Sequence, residues 1–310
     1  MNPENQFYRV YSDALKERFG EKVYKLPVNL PLTCPNRDGT KGRGGCIFCG
    51  EDGAGHETRL PGASVRKQLT ETMAYIGKRY GAKKFIAYFQ NYTNTYVSMA
   101  TFKEMVEATA MEHVVAISLS TRPDCISEEQ LDYLEEFQYR TGRLVYIEMG
   151  LQSANEDTLL ALNRGHTVVD FIGAAERIKS RGFILCAHMI LDLPWDQDED
   201  ILAGAMLLNR LKVDEVKFHS LYVVKGTELE RMMDAGEVTL LKMDTYIERV
   251  IMFLRALDSK IVIQRIIGRA PKENVRVCNW NTSWWKIKDE IIKRMASRDA
   301  CQGDRKGMES

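Results

Sequence analysis

The chain of 310 residues contains no apolar run approaching the roughly 18–20 residues that a membrane span requires, which excludes a helical membrane protein. Its first residues, Met1–Gln6, lack the basic and apolar regions of a signal peptide, so a cytoplasmic location is the expectation. There is no internal repeat and no long low-complexity linker, so the pattern is not that of a solenoid or of tethered modules. Seven cysteines is an odd count, and their uneven spread argues against a secreted disulfide framework. Net charge is also lacking, since 43 Lys and Arg balance 43 Asp and Glu. That balance hides an asymmetry: residues 242–310 hold fifteen Lys and Arg against nine Asp and Glu. A basic C-terminal third can face a polyanion, or it can be an ordinary solvated surface.

What is present is enough for a sizeable core, with 45% hydrophobic residues. Residues 4–19 read as one amphipathic helix with Phe7, Val10, Tyr11, Ala14 and Leu15 on one side. Strand-like runs follow at Val23–Leu30, Phe85–Gln90, Val114–Ser120, Leu144–Gly150, Ile184–Leu191 and Val216–Tyr222. Helical patterns lie between them near 63–79, 100–110, 127–139, 167–181 and 197–211. Six strand–helix alternations imply an α/β fold with a parallel sheet, and right-handed crossovers curl it into a partial or full barrel. Sites in such sheets lie at the C-terminal strand ends. Past residue 226 the rhythm changes to helices near 226–235 and 242–256, a strand-like run at Lys260–Ile266, a Trp-rich segment from Trp280 to Trp285, and a helix to about 297. The expected organisation is a barrel over 1–225 and a C-terminal α/β extension over 226–310. The tail from Ala300 is expected to be mobile.

Chemistry concentrates in one loop. Cys34, Cys46 and Cys49 follow the first strand with the spacing C-x11-C-x2-C, with glycines between the first two and Phe48 before the last. Three thiolates on one loop can hold three irons of a [4Fe–4S] cluster, leaving the fourth iron open to a cofactor or substrate. Zinc is the alternative, but zinc sites usually take four Cys or His ligands in paired spacings, and His56 is the only nearby substitute for the missing pair. Elsewhere, Arg122 and Asp124 follow the third strand as either a buried pair or a ligand contact. His188 and His219 lie on strands five and six and are candidates to face the barrel. Methionines such as Met232 and Met233 read as core.

The ending Cys46-Ile47-Phe48-Cys49 resembles that of radical S-adenosylmethionine (SAM) enzymes. With Cys34–Thr40 (CPNRDGT), Phe89–Tyr96 (FQNYTNTY), Ser120–Asp124 (STRPD) and Glu148–Ser153 (EMGLQS), the chain resembles the radical SAM group of the Elongator catalytic subunit and the oxygen-independent coproporphyrinogen oxidase. The likeness is to a small family sharing CPNRDGT…GGCxFC, over about residues 1–300. It implies a partial (β/α)6 TIM-like barrel, a [4Fe–4S] cluster on Cys34, Cys46 and Cys49, and SAM chelating the fourth iron through its amino and carboxylate groups. Phe48 would border the adenine. Gln90 and Asn91 would contact the methionine moiety, against a reading as turn residues. Glu148, at the end of the fourth strand, would accept from the ribose hydroxyls, with Gln152 and Ser153 completing that wall; the other reading of Glu148 is a buried ion-paired carboxylate.

Two departures from the pattern stand out. Where relatives read GLPGE, this chain has Asp192-Leu193-Pro194-Trp195-Asp196, replacing two glycines that let backbone approach SAM. Where relatives often show AP-x-W, it has Val277-Cys278-Asn279-Trp280, and Cys278 with Cys301 does not make a second cluster site. The resemblance implies reductive cleavage of SAM to a 5′-deoxyadenosyl radical, with flavodoxin or ferredoxin as reductant. The expected substrate is transfer RNA, at the side chain of a modified wobble uridine. An acetyltransferase half is not read in these residues, so a reaction other than carboxymethylation is expected, alteration or trimming of an existing side chain being one possibility. The alternatives are a small, porphyrin-like substrate, or a non-catalytic Fe–S protein.

Overall fold

The computed structural model describes residues 3–50, 62–268 and 274–307. Among the described residues nine strands run β1 (Val23–Val28), β2 (Lys84–Phe89), β3 (Val114–Thr121), β4 (Leu144–Gln152), β5 (Ile184–Ile190), β6 (Glu215–His219), β7 (Val223–Val224), β8 (Val262–Arg265) and β9 (Val275–Val277). Ten helices accompany them: α1 (Tyr11–Phe19), α2 (Val65–Tyr80), α3 (Met99–Glu107), α4 (Glu128–Thr141), α5 (Glu156–Ala161), α6 (Val168–Ser180), α7 (Asp198–Arg210), α8 (Glu228–Asp234), α9 (Met243–Ala256) and α10 (Trp284–Ser297). Seven strands form one sheet in the order β1-β2-β3-β4-β5-β6-β8, every neighbour parallel. This is the partial TIM-like barrel, with β8, from beyond residue 226, added as a seventh strand.

Alternate residues of each strand divide the two faces. Leu26, Ala87, Phe89, Ile117, Leu119, Val145, Ile147, Leu185, Ala187 and Val216 belong to the main core beneath the helices. At the foot of the inner face, Val23, Ile86, Ala116 and Tyr146 are closed off by Leu15 of α1. Higher up the inner face is polar, which a barrel interior packed for stability alone would not be.

Residues 4–19 are not one helix. A short 3-10 turn at Pro3–Gln6 is separated from α1 because Val10 bridges Ile263 in parallel, with Ile263 N–H donating to Arg9 O at 2.9 Å. An amphipathic period cannot reveal that the backbone of Arg9 and Val10 is claimed by β8. The run read as Val216–Tyr222 stops at His219, and Asp192 Oδ1 takes the Leu221 N–H at 2.8 Å. As far as Lys306 the tail is docked rather than loose. Ala300 is buried, and Gln302 donates to the backbone oxygens of Asp258 and Ile261 at 2.7 and 2.8 Å. Trp280, in the left-handed region at φ +52°, donates from Nε1 to Leu241 O at 2.7 Å and packs 5.3 Å from Tyr246.

Candidate active site

The cysteine loop leaves β1 at the C-terminal edge of the sheet. It turns back on itself through an Asp38–Arg43 bridge and a Gly39 N–H to Gly42 O bond of 3.0 Å. Gly45, at φ +81°, passes so close to Arg37 that a Cβ there would meet its Nε at 2.9 Å. Arg37 then ties the loop's end by donating to Cys49 O and Gly50 O, both at 2.8 Å. Donors converge on the thiols. Arg164 Nη1 lies 3.4 Å and Asn36 Nδ2 3.8 Å from Cys46 Sγ, and Thr93 Oγ1 lies 3.7 Å from Cys34 Sγ. The Cys49 thiol is pushed up to about 11, first by burial and then by the neighbouring Cys46 and Cys34, with Arg37 and Arg164 pulling the other way. Three crowded thiols, ringed by donors suited to thiolate, fit a cationic cluster that supplies the missing positive charge. Among the described residues no fourth ligand completes a zinc set on this loop; His56 lies outside them.

Phe48 and Trp195 both pack on a small apolar cluster that includes Ile47, Leu162 and Leu193. Met232 and Met233 pack on the same cluster, as core residues. Gln90 follows β2, its N–H 3.5 Å from Val28 O. Asn91 is buried; its Nδ2 donates to Asn29 Oδ1, and its own Oδ1 has no donor among the described residues. An orphaned buried acceptor at the strand ends suits a ligand bearing an ammonium group. Gln152, at φ +76°, and Ser153 follow β4, and Ser153 Oγ donates to Asp196 Oδ1 at 2.8 Å.

Glu148 is not at the strand end, because β4 continues to Gln152. Its carboxylate is fully enclosed and accepts from Lys25 Nζ, Ser118 Oγ at 2.8 Å, His188 Nε2 at 2.9 Å and Lys217 Nζ at 3.0 Å. Burial alone would raise its pKa; Lys217, Lys25 and His188 outweigh that and hold it well below the usual carboxylate range. Lys217 also donates to Tyr88 OH at 2.8 Å, and Gln264 bridges Lys25 to Glu215. Burial, then Lys217, pushes His188 down to about 4. His188 and His219 both face the interior, rings 5.1 Å apart, with His219 Nδ1 accepting from Arg265 at 2.8 Å. Ligand atoms of Glu148, Cys186 and His188 lie within 4.8 Å of one another, but the two lysines already supply the cations there.

Arg122 and Asp124 form a buried bidentate pair, both bonds 2.9 Å, and Lys41 closes the carboxylate at 2.6 Å. Their contact is with each other and with the turn after α5, through Arg122 Nη1 to Arg164 O at 2.6 Å. The substituted loop after β5 is held from α9: Arg249 donates to Leu191 O, Leu193 O and Asp196 O at 3.3, 3.3 and 2.6 Å, and to Asp198 at 3.0 Å. Lys25, Lys217 and Arg164 were not singled out from sequence. For the lysines a signal existed, a charged residue at an inward position of an otherwise apolar strand. For Arg164 there was none.

Residues 34–208 match the family model of the radical SAM superfamily, and 213–297 that of the radical SAM C-terminal domain. The chain is 35% identical over 306 residues to MJ0486 of Methanocaldococcus jannaschii, covering 97% of this chain and 93% of that one. It is 31% identical to YtqA of Bacillus subtilis, over 96% and 92%. A tRNA uridine(34) acetyltransferase from Methanocaldococcus infernus is 28% identical over 51% of this chain and only 29% of its own length. The fold is shared with the archaeal Elp3 of Methanocaldococcus infernus, at TM-score 0.67 and 18% identity, covering 90% of this chain and 64% of that one. The chain belongs to the radical SAM superfamily, and its cofactors are a [4Fe–4S] cluster and SAM. Among the described residues no helix is long and apolar enough to cross a membrane.

Proposed function

We propose that this chain is a radical SAM enzyme that modifies the side chain of a wobble uridine in transfer RNA. Cys34, Cys46 and Cys49 would hold the cluster, which would supply the electron for reductive cleavage of SAM and so the radical chemistry on the substrate. The chain's own residues bind, orient and exclude water. Asn91, Gln152 and Ser153 would hold SAM at the strand ends, Phe48, which packs on the same apolar cluster as Trp195, would border its adenine, and Gln90 stands beside Asn91. Glu148 has its oxygens taken by Lys25, Lys217, Ser118 and His188, so its part is to hold that polar wall in shape; a ribose contact would need one of those donors to yield. The reductant is a low-potential one-electron carrier such as flavodoxin or ferredoxin.

The observation that carries the choice of substrate is the pairing of this barrel with relatives named for uridine 34 and for Elongator complex protein 3, over about half the chain. Reconstitution under anaerobic conditions with SAM and dithionite should release 5′-deoxyadenosine. Mass spectrometry of tRNA nucleosides from a deletion strain should show one wobble uridine lost or its precursor accumulated. An unchanged nucleoside profile would sink the tRNA reading.

A small-molecule substrate is the second reading, and α10 favours it. Much of the extension's positive charge is spent on its own acids: Arg294 meets Asp244, Glu248 and Glu290, Arg298 meets Glu248, and Lys288 meets Glu4.

A further inference from the structure

Arg164 stands in the turn after α5, and its side chain is buried although no carboxylate among the described residues pairs with it. Nη1 points at Cys46 Sγ from 3.4 Å, Nη2 at Gly150 O from 3.1 Å, and Nε is buried without an acceptor. A buried cation costs several kcal/mol unless an anion answers it. Here the group that can answer is the sulfur of Cys46.

The turn that carries Arg164 is fixed to the cysteine loop from several sides. Asn163, left-handed at φ +51°, donates to Gly45 O at 2.8 Å, and Asn36 Nδ2 donates back to Asn163 O. Gly165, at φ +64°, lies so near that a Cβ would meet Asn36 Oδ1 at 2.9 Å. The Arg122–Asp124 pair grips Arg164 O from the other side at 2.6 Å. The guanidinium therefore has little freedom to leave the sulfur.

We infer that Arg164 is a positioning residue that sets the electron affinity of the cluster, by holding a fixed positive charge and a hydrogen bond on the Cys46 thiolate. This rests on the cluster reading of the three cysteines. Charge and hydrogen bonds at the ligand sulfurs are among the main determinants of the potential of such a cluster. In reduction, one electron passes from an external iron–sulfur or flavin donor to the cluster; no bond breaks, no proton is required, and Arg164 stays cationic. Its attraction to the cluster is larger after the electron arrives, so Arg164 raises the midpoint potential and lets a weaker donor load the site.

The test is an EPR-monitored redox titration of the full-length reconstituted holoprotein without SAM. Arg164→Gln should lower the reduced-to-oxidised ratio at a fixed ambient potential about tenfold, about 59 mV for one electron. Arg164→Lys keeps the charge and should stay near wild type. Arg164→Met is a second charge-free variant and should move with Gln. If the charge-free variants hold no cluster while Lys does, the requirement for charge is upheld. Equal potentials in wild type, Gln and Met overturn the inference, as does a Lys variant that shifts as far as Gln. Wild-type protein that takes up no iron would instead defeat the cluster reading itself.

Discussion

Lys217 Nζ on β6 lies 3.0 Å from Glu148 Oε2 on β4, reaching past the whole of β5 to make the contact. Lys25 reaches the same carboxylate from β1. One anion thus answers two ammonium groups inside the barrel. Glu148→Gln keeps the shape and removes the charge, so it should lower the unfolding free energy of the apoprotein by about 3–5 kcal/mol. Urea denaturation measures this. A loss below about 1 kcal/mol would mean that the lysines are solvated in a way the enclosed carboxylate does not suggest.

The cysteine assignment has an all-or-none readout. Anaerobically reconstituted protein should hold about four irons and four sulfides, as one cluster of this type requires. Cys34→Ala, Cys46→Ala and Cys49→Ala should each abolish it, while the same change at Cys125, Cys186, Cys278 or Cys301 should not. Iron and acid-labile sulfide assays decide the matter; stoichiometric zinc without iron would refute it.

Asp192 makes stability depend on pH. Burial raises its carboxyl to about 7, against the Leu221 N–H and Arg249 that favour the charged form. The folded chain holds this proton where the unfolded chain, titrating near 3.9, has lost it. Its contribution is therefore most favourable below about pH 4, is lost as pH rises toward 7, and is flat above that. Asp192→Asn keeps an oxygen for Leu221 N–H and should match wild type at low pH but exceed it at pH 8 by on the order of 2–4 kcal/mol. Denaturation curves at pH 5 and pH 8 that shift equally would contradict this.

If the substrate is RNA, Trp285 is the tryptophan placed to stack on it. It is 48% exposed, with Lys286 Nζ 5.5 Å from its ring, whereas Trp280 is tied to Leu241. Trp285→Ala should weaken tRNA binding by about 1–3 kcal/mol, the usual worth of one stacked base. Filter binding at two salt concentrations would show it, and iron content should not change. Equal affinities for wild type and variant would turn attention from α10 to the barrel mouth.

Several of these features were legible in the sequence, and the reason differs from case to case. The six apolar strands announce themselves because both faces of a parallel sheet are covered. The cysteine loop announces itself by spacing. His188 and His219 were rightly suspected of facing inward, since alternation alone decides it. Glu148 is not the strand end that the sequence reading makes it: that reading runs the strand to Gly150, and Leu151 and Gln152 carry it further still. The charge of the extension was visible but not its neutralisation, since which acids of α9 face α10 is a fact of packing. Arg164 gave no signal, because a lone arginine in a polar turn looks solvated until the thiol opposite it is seen.

The two ends of the chain meet beside β8. Arg9 N–H donates to Gln302 Oε1 at 2.9 Å, across a separation of 293 residues, and Gln302 N–H returns to Phe7 O at 2.8 Å. During translation the segment around Phe7 and Arg9 must therefore wait until residue 302 has been made before this contact can form. At ordinary elongation speeds the interval is roughly 15–60 s. Until its later part the unfinished sheet lacks β8, and its polar lumen stands open along one side. A nascent chain on the ribosome thus presents its cysteine loop long before its last strand, and metal delivery can begin on a protein whose wall is not yet shut.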